Sequence, residues 1–176
     1  ALIRRQRLTV TMSHPLRFHP GFCRLKEIVV GGVLGPIQTL TIECRGVWPL
    51  ALGPIQGQPG AQAWDLAWWW LDQPAPPFEP VDGLATGQAA ADLHDGPHVS
   101  LTIVPGAAGD PAHYKVAITG VLGETCVDAP LLMPSGTGVT VSRVVDIGNA
   151  RRHASLWVPA ADPWLLELAA KAALPR

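Results

Sequence analysis

Cysteine is scarce in this sequence: Cys23, Cys44 and Cys126 stand far apart, with no CxxC pair. An odd count without a dense framework excludes a disulfide-stapled scaffold and points to free thiols in a reducing compartment. Charge is scarce as well, at 15% of residues. No apolar run approaches the ~18 residues of a membrane span. The opening "ALIRRQRLTV" lacks the apolar core of a signal peptide, and Ala at its head fits removal of an initiator Met. The expectation is a soluble protein, cytoplasmic or assembled there into a particle.

Basic residues are nearly absent from the middle of the chain. Between Gly46 and Ser142, Lys115 stands alone against nine acids, a balance of -8. Residues 1–26 carry Arg4, Arg5, Arg7, Arg17, Arg24 and Lys26 with no acid, or +6. A basic head thus precedes an acidic body, a polarity that can steer association between oppositely charged faces.

The 176 residues suit a single domain that needs neither metal nor disulfide for its core. With 48% hydrophobic residues and 18 each of Gly and Pro, the composition favours short strands and many turns. "RLTVTM" and "QTLTIEC" alternate as half-buried strands do, "LKEIVVGG" is a further strand candidate, and "HVSLTIV", "HYKVAITGVL" and "GVTVSRVVDI" resume the pattern. Residues 74–97 read as a long Pro/Gly/Ala-rich connection with one helical turn at "GQAAADL". The fold class is mainly β, an antiparallel β-sandwich or incomplete barrel. Residues 1–24 form an extended basic N-terminal arm and 25–176 a single β-rich domain.

Two helices are expected within it. Over about 61–73, Gln62, Asp65, Asp72 and Gln73 share one arc at helical spacing, together with Trp69. The remaining circumference is apolar, so this helix is either deeply buried or covered on two sides. Over about 163–174, Asp162 is an N-cap, Pro163 fits the first position, and Trp164, Leu165, Leu168 and Ala172 form a face to dock on the sheet.

No recognised catalytic motif is present. "PSGTG" is not a nucleophile elbow, and "GGVLGP" lacks the Lys and Ser or Thr of a phosphate loop. His14, His19 and Cys23, with Cys44 as a fourth, are the metal-ligand candidates by residue type. Pro15 and Pro20 follow the histidines and favour an extended backbone that does not converge the rings, so no metal and no cofactor are expected. The stretch reads instead as an arm that lays Phe18 and Phe22 on another surface. Most tryptophans are expected in the core.

These features lead to a non-enzymatic structural or interaction protein that assembles with itself or with other subunits, such as a component of a virus- or phage-like particle. The expected contacts are Arg4, Arg5, Arg7, Arg17, Phe18, Phe22, Trp69, Arg151 and Arg152. Nucleic acid is disfavoured because the Trp-rich region carries the acidic excess. The alternative is a carbohydrate or small-ligand binding module with exposed Trp on a β scaffold, and a third is a metalloprotein or enzyme using His14, His19 and Cys23.

Overall fold

The computed structural model describes residues 14–46, 59–73, 87–92, 96–107, 109–131, 133, 136–161 and 163–172. After a 3-10 turn at Pro15–Phe18 come α1 (Pro20–Val30), β1 (Ile37–Gly46), α2 (Pro59–Leu71) and β2 (Gly87–Asp92). Then follow β3 (His98–Pro105), β4 (His113–Gly120), β5 (Gly123–Pro130), β6 (Gly138–Ile147), β7 (Ala150–Pro159) and α3 (Pro163–Ala172). None of the described helices is long and apolar enough to cross a membrane.

The fold is mainly β, as the alternating segments imply. The seven strands among the described residues form one open sheet in the order β2-β3-β1-β4-β5-β6-β7. All neighbours are antiparallel except β1 and β3, which run parallel with Leu40 beside Val99 and Ile42 beside Leu101. A parallel pair requires a crossover, and α2 lies on the path from β1 to β3. Helices, rather than a second sheet, supply the layer packed on the buried face.

That face is built by alternation. Leu40, Ile42 and Cys44 of β1, Val99, Leu101 and Ile103 of β3, Tyr114, Val116 and Ile118 of β4 and Val127 of β5 are all buried. Against them α1 sets Phe22, Leu25 and Ile28, three residues apart on one side of a helix. The Phe22 ring meets Trp70 and Tyr114 edge-on at 5.4 and 5.7 Å. The Trp70 indole N–H donates to the Phe22 carbonyl at 3.0 Å, so the largest buried ring keeps its polar atom satisfied.

Four local expectations are corrected. Residues 20–30 are helical, not partly arm and partly the strand "LKEIVV". The β-branched run Ile28, Val29, Val30 suggests a strand, but the spacing of Phe22, Leu25 and Ile28 fits burial of one helical side, and Pro20 fits the first turn. Residues 15–18 are likewise a 3-10 turn; residues 1–13, and with them Arg4, Arg5 and Arg7, lie outside the described residues. "GQAAAD" is β2, paired with β3 from Gly87↔Ile103 to Asp92↔His98, not a helical turn. Tertiary pairing overrides the helical preference of three alanines there.

The fourth correction concerns α3. Leu165 and Leu168 are 63% and 64% exposed and do not dock on the sheet; Glu167 is the residue turned inward, at 3% exposure. The helix packs on the 3-10 turn instead, because a polar anchor there is satisfied by Glu167.

Candidate functional site

The polar residues drawn inward by the helical layer converge on Asp65, the only acid among residues 60–71 of α2. Arg17, on the 3-10 turn, donates twice to its carboxylate, Nε to Oδ2 at 2.9 Å and Nη2 to Oδ1 at 2.6 Å. The His14 ring places Nδ1 at 3.2 Å from Asp65 Oδ2. His14 also donates its backbone N–H to Glu167 Oε1 at 2.8 Å. Three elements far apart in sequence, the 3-10 turn with its cap His14, α2 and α3, thus meet in one group.

Its electrostatics follow from that geometry. Burial by itself would raise the Asp65 pKa, but hydrogen bonds from His14 and Arg17 outweigh it, and the net shift is downward. Asp65 therefore stays ionised, with a side chain only 21% exposed. A planar guanidinium that binds both oxygens fixes the carboxylate in orientation as well as charge. An ionised carboxylate held against an imidazole is a pair that can orient a substrate hydroxyl and pass a proton.

A second, peripheral cation marks the far end of α2. Lys26 Nζ donates to the Trp69 carbonyl and to Asp72 Oδ1 at 3.1 Å, and sits 5.9 Å from the Trp69 ring centre. It satisfies a C-terminal carbonyl where Asp72 leaves the helix with φ +56. Trp69 is thus half-buried under a lysine.

The other expected site residues are scattered. Phe22 is fully buried in the chain's own core, a correction to the reading that laid it on another surface. Phe18 is half-buried beside it in sequence, and Arg17 is engaged with Asp65. Arg151 donates to Glu124 Oε1 at 3.0 Å on the exposed β6–β7 hairpin, where Arg152 is exposed too.

The metal candidates are likewise dispersed. Among the described residues no group of three or more His, Cys, Asp or Glu side chains is gathered as a metal would need. His14 faces Asp65, while Cys23 Sγ donates to the Arg17 carbonyl at 3.1 Å. His19 is fully buried against Phe22, ring centres 4.4 Å apart, and burial lowers its pKa to about 4. Burial pushes the thiols of Cys23 and Cys44 up, which makes them poor ligands and nucleophiles.

Asp65 and Glu167 escaped the sequence reading as site residues. Asp65 is visible in the sequence as an acid surrounded by apolar residues on α2, a placement that calls for a partner.

No protein family matches the sequence, and no curated protein does. Solved structures do match its fold. KijD10, a 3-ketoreductase from Actinomadura kijaniata solved with NADP, shares 15% identity over 96% of this chain and 53% of its own, with a TM-score of 0.67. Levoglucosan dehydrogenase, in complex with NADH and levoglucosan, shares 16% identity over 91% of this chain and 55% of its own, TM-score 0.61. An oxidoreductase from Sinorhizobium meliloti shares 16% over 80% and 41%, TM-score 0.51. The chain therefore spans about half the length of these proteins.

The likeness is one of fold, and it overturns the expectation of a non-enzymatic particle or structural protein. The structures it matches in fold over 91–96% of its length were solved with NADP or NADH bound. The reading of "no enzyme" had rested on missing motifs, and a motif search cannot see a site assembled from single residues on separate elements.

Proposed function

We propose that this chain is the sheet-bearing part of an NAD(P)-dependent oxidoreductase acting on a sugar-like alcohol or ketone, with the surface around Asp65 holding the substrate. The observation that carries this reading is the shared architecture over 91–96% of the chain with a 3-ketoreductase and a levoglucosan dehydrogenase. The Asp65 group supplies what such a substrate needs from the protein: an ionised carboxylate to accept from a hydroxyl, and an imidazole beside it.

The described residues do not fit the nucleotide itself. A dinucleotide asks for a glycine-rich turn between a strand and a helix of a parallel sheet, whereas this sheet has a single parallel pair. In this reading the nicotinamide is held by a portion corresponding to the rest of the matched proteins' length.

The test is calorimetric titration of levoglucosan and keto-hexoses into the chain, alongside Asp65→Asn. The reading expects saturable binding weakened at least tenfold by the substitution. Its contradiction is no saturable binding of any sugar at about 10 mM, above the ~1 mM upper end of ordinary enzyme KM values.

A further inference from the structure

Of the four tryptophans in α2, Trp70 alone is fully buried in the core; Trp64, Trp68 and Trp69 stay half-buried. The helix distributes them around Asp65. At about 100° per residue, Trp69 lies about 40° to one side of Asp65 and Trp68 about 60° to the other, with Trp69 about 6 Å further along the axis. Trp68 is engaged, stacked on Trp64 with ring centres 6.1 Å apart and 20° from parallel. Trp69 is braced instead. Lys26 Nζ stands 5.9 Å from its ring centre, tethered by the Trp69 carbonyl and Asp72, and Trp70 meets it at a 40° tilt.

We propose that Trp69 is a specificity-determining residue of the Asp65 site: its indole, on the face opposite Lys26, stacks against the C–H face of a closed sugar ring while a hydroxyl of that ring donates to Asp65. The inference rests on the sugar-like substrate proposed above and narrows it to cyclic sugars.

Three physical arguments carry it. A large indole left partly in water one helical turn from an ionised carboxylate is the composition of a small-molecule site, an aromatic wall with a few placed polar groups. The ring face bears the negative part of the indole quadrupole, which suits C–H bonds, and the hydroxyls of a sugar ring project from its rim toward groups such as Asp65. The separation of one turn is the scale of a single six-membered ring with its substituents. The bracing by Lys26 matters as well, because a side chain already held in place loses little freedom when a ligand arrives. An open-chain polyol offers the same hydroxyls but no fixed apolar face, and must be ordered before it can stack.

The experiment is calorimetric titration, near pH 7, of levoglucosan and of the open-chain polyol sorbitol into the native chain, Trp69→Ala, Trp69→Phe and Asp65→Asn. The native chain is expected to bind levoglucosan about tenfold or more tighter than sorbitol, a preference read without any variant. Trp69→Ala loses about tenfold for levoglucosan, the scale of one stacked aromatic contact, and stays within about twofold of native for sorbitol. Trp69→Phe, which keeps an aromatic face, binds levoglucosan more tightly than Trp69→Ala does. A bracing role for the end of α2 alone would weaken both ligands alike, so the ratio of the two affinities separates it from stacking. Native binding of neither ligand removes the substrate reading and this inference with it. Levoglucosan binding that Asp65→Asn weakens but a folded Trp69→Ala leaves unchanged overturns the inference alone and leaves that reading standing. So does equal native affinity for the two ligands, an equal loss of both in Trp69→Ala, or a Trp69→Phe no better than Trp69→Ala.

Discussion

Arg17 and Asp65, 48 residues apart in sequence, form a two-point ion pair that fastens the 3-10 turn to the middle of α2. Removing one partner strands the other in a site that is mostly out of water. Arg17→Ala is expected to cost about 1–2 kcal/mol, below the ~3–5 of a fully buried pair because the Arg17 side chain is 33% exposed. Scanning calorimetry should show the melting temperature fall by about 2–8 °C. Arg17→Lys should recover only part, because an ammonium cannot span both carboxylate oxygens.

The same pair predicts a pH dependence. The folded-state pKa of Asp65 lies below its ordinary 3.8. Its contribution to stability is therefore present above pH 3.8 and is lost as pH falls through the folded value. Urea midpoints measured from pH 5 downward should decline less steeply in Asp65→Asn than in the native chain.

His19 acts in the opposite range. Neither ring nitrogen reaches a partner at hydrogen-bond geometry, and the nearby Pro130 carbonyl offsets only part of the burial that lowers the pKa to about 4. The unfolded chain binds this proton near pH 6.5 and the folded chain does not. Stability is thus full above pH 6.5 and declines as pH drops toward 4, by on the order of 3 kcal/mol. In His19→Leu that decline should be absent from stability curves between pH 6.5 and 4; an unchanged slope contradicts the assignment.

Phe22 separates the core from the surface reading of residues 13–23. As the ring between Trp70 and Tyr114 it should cost about 3–5 kcal/mol when changed to Ala. A residue laid on another molecule's surface would leave the isolated chain's stability within about 0.5 kcal/mol. Denaturant unfolding of Phe22→Ala decides between them.

Gly46 ends β1 with φ +99, and a Cβ there would lie 2.3 Å from the Pro111 carbonyl oxygen. Gly46→Ala should therefore destabilise by more than the ~1 kcal/mol of backbone strain alone, about 2–4 kcal/mol by thermal melting.

What the sequence made legible was what period and chemistry encode locally. The alternation of "QTLTIEC" placed Leu40, Ile42 and Cys44 on the buried face, and the arc of Gln62, Asp65 and Asp72 identified α2. The β-branched run at Ile28–Val30 concealed α1, whose helical character rests on what Phe22, Leu25 and Ile28 bury against. The alanines at 89–91 concealed β2, which exists because β3 offers an edge. The Asp65 group was hidden for a related reason: His14, Arg17, Asp65 and Glu167 are single residues spread over more than 150 positions, and only the packing of the 3-10 turn, α2 and α3 makes them neighbours. The expectation of a non-enzymatic protein rested on the absence of a motif, which does not exclude a site built from single residues.

The account's central claim is that the Asp65 surface holds a sugar-like substrate. Its most direct test is the heat of levoglucosan binding to the native chain and to Asp65→Asn at one pH near 7. The account predicts saturable binding by the native chain and at least tenfold weaker binding by the variant, with both folded by circular dichroism. Equal binding by the two, or none by the native chain at about 10 mM, contradicts it.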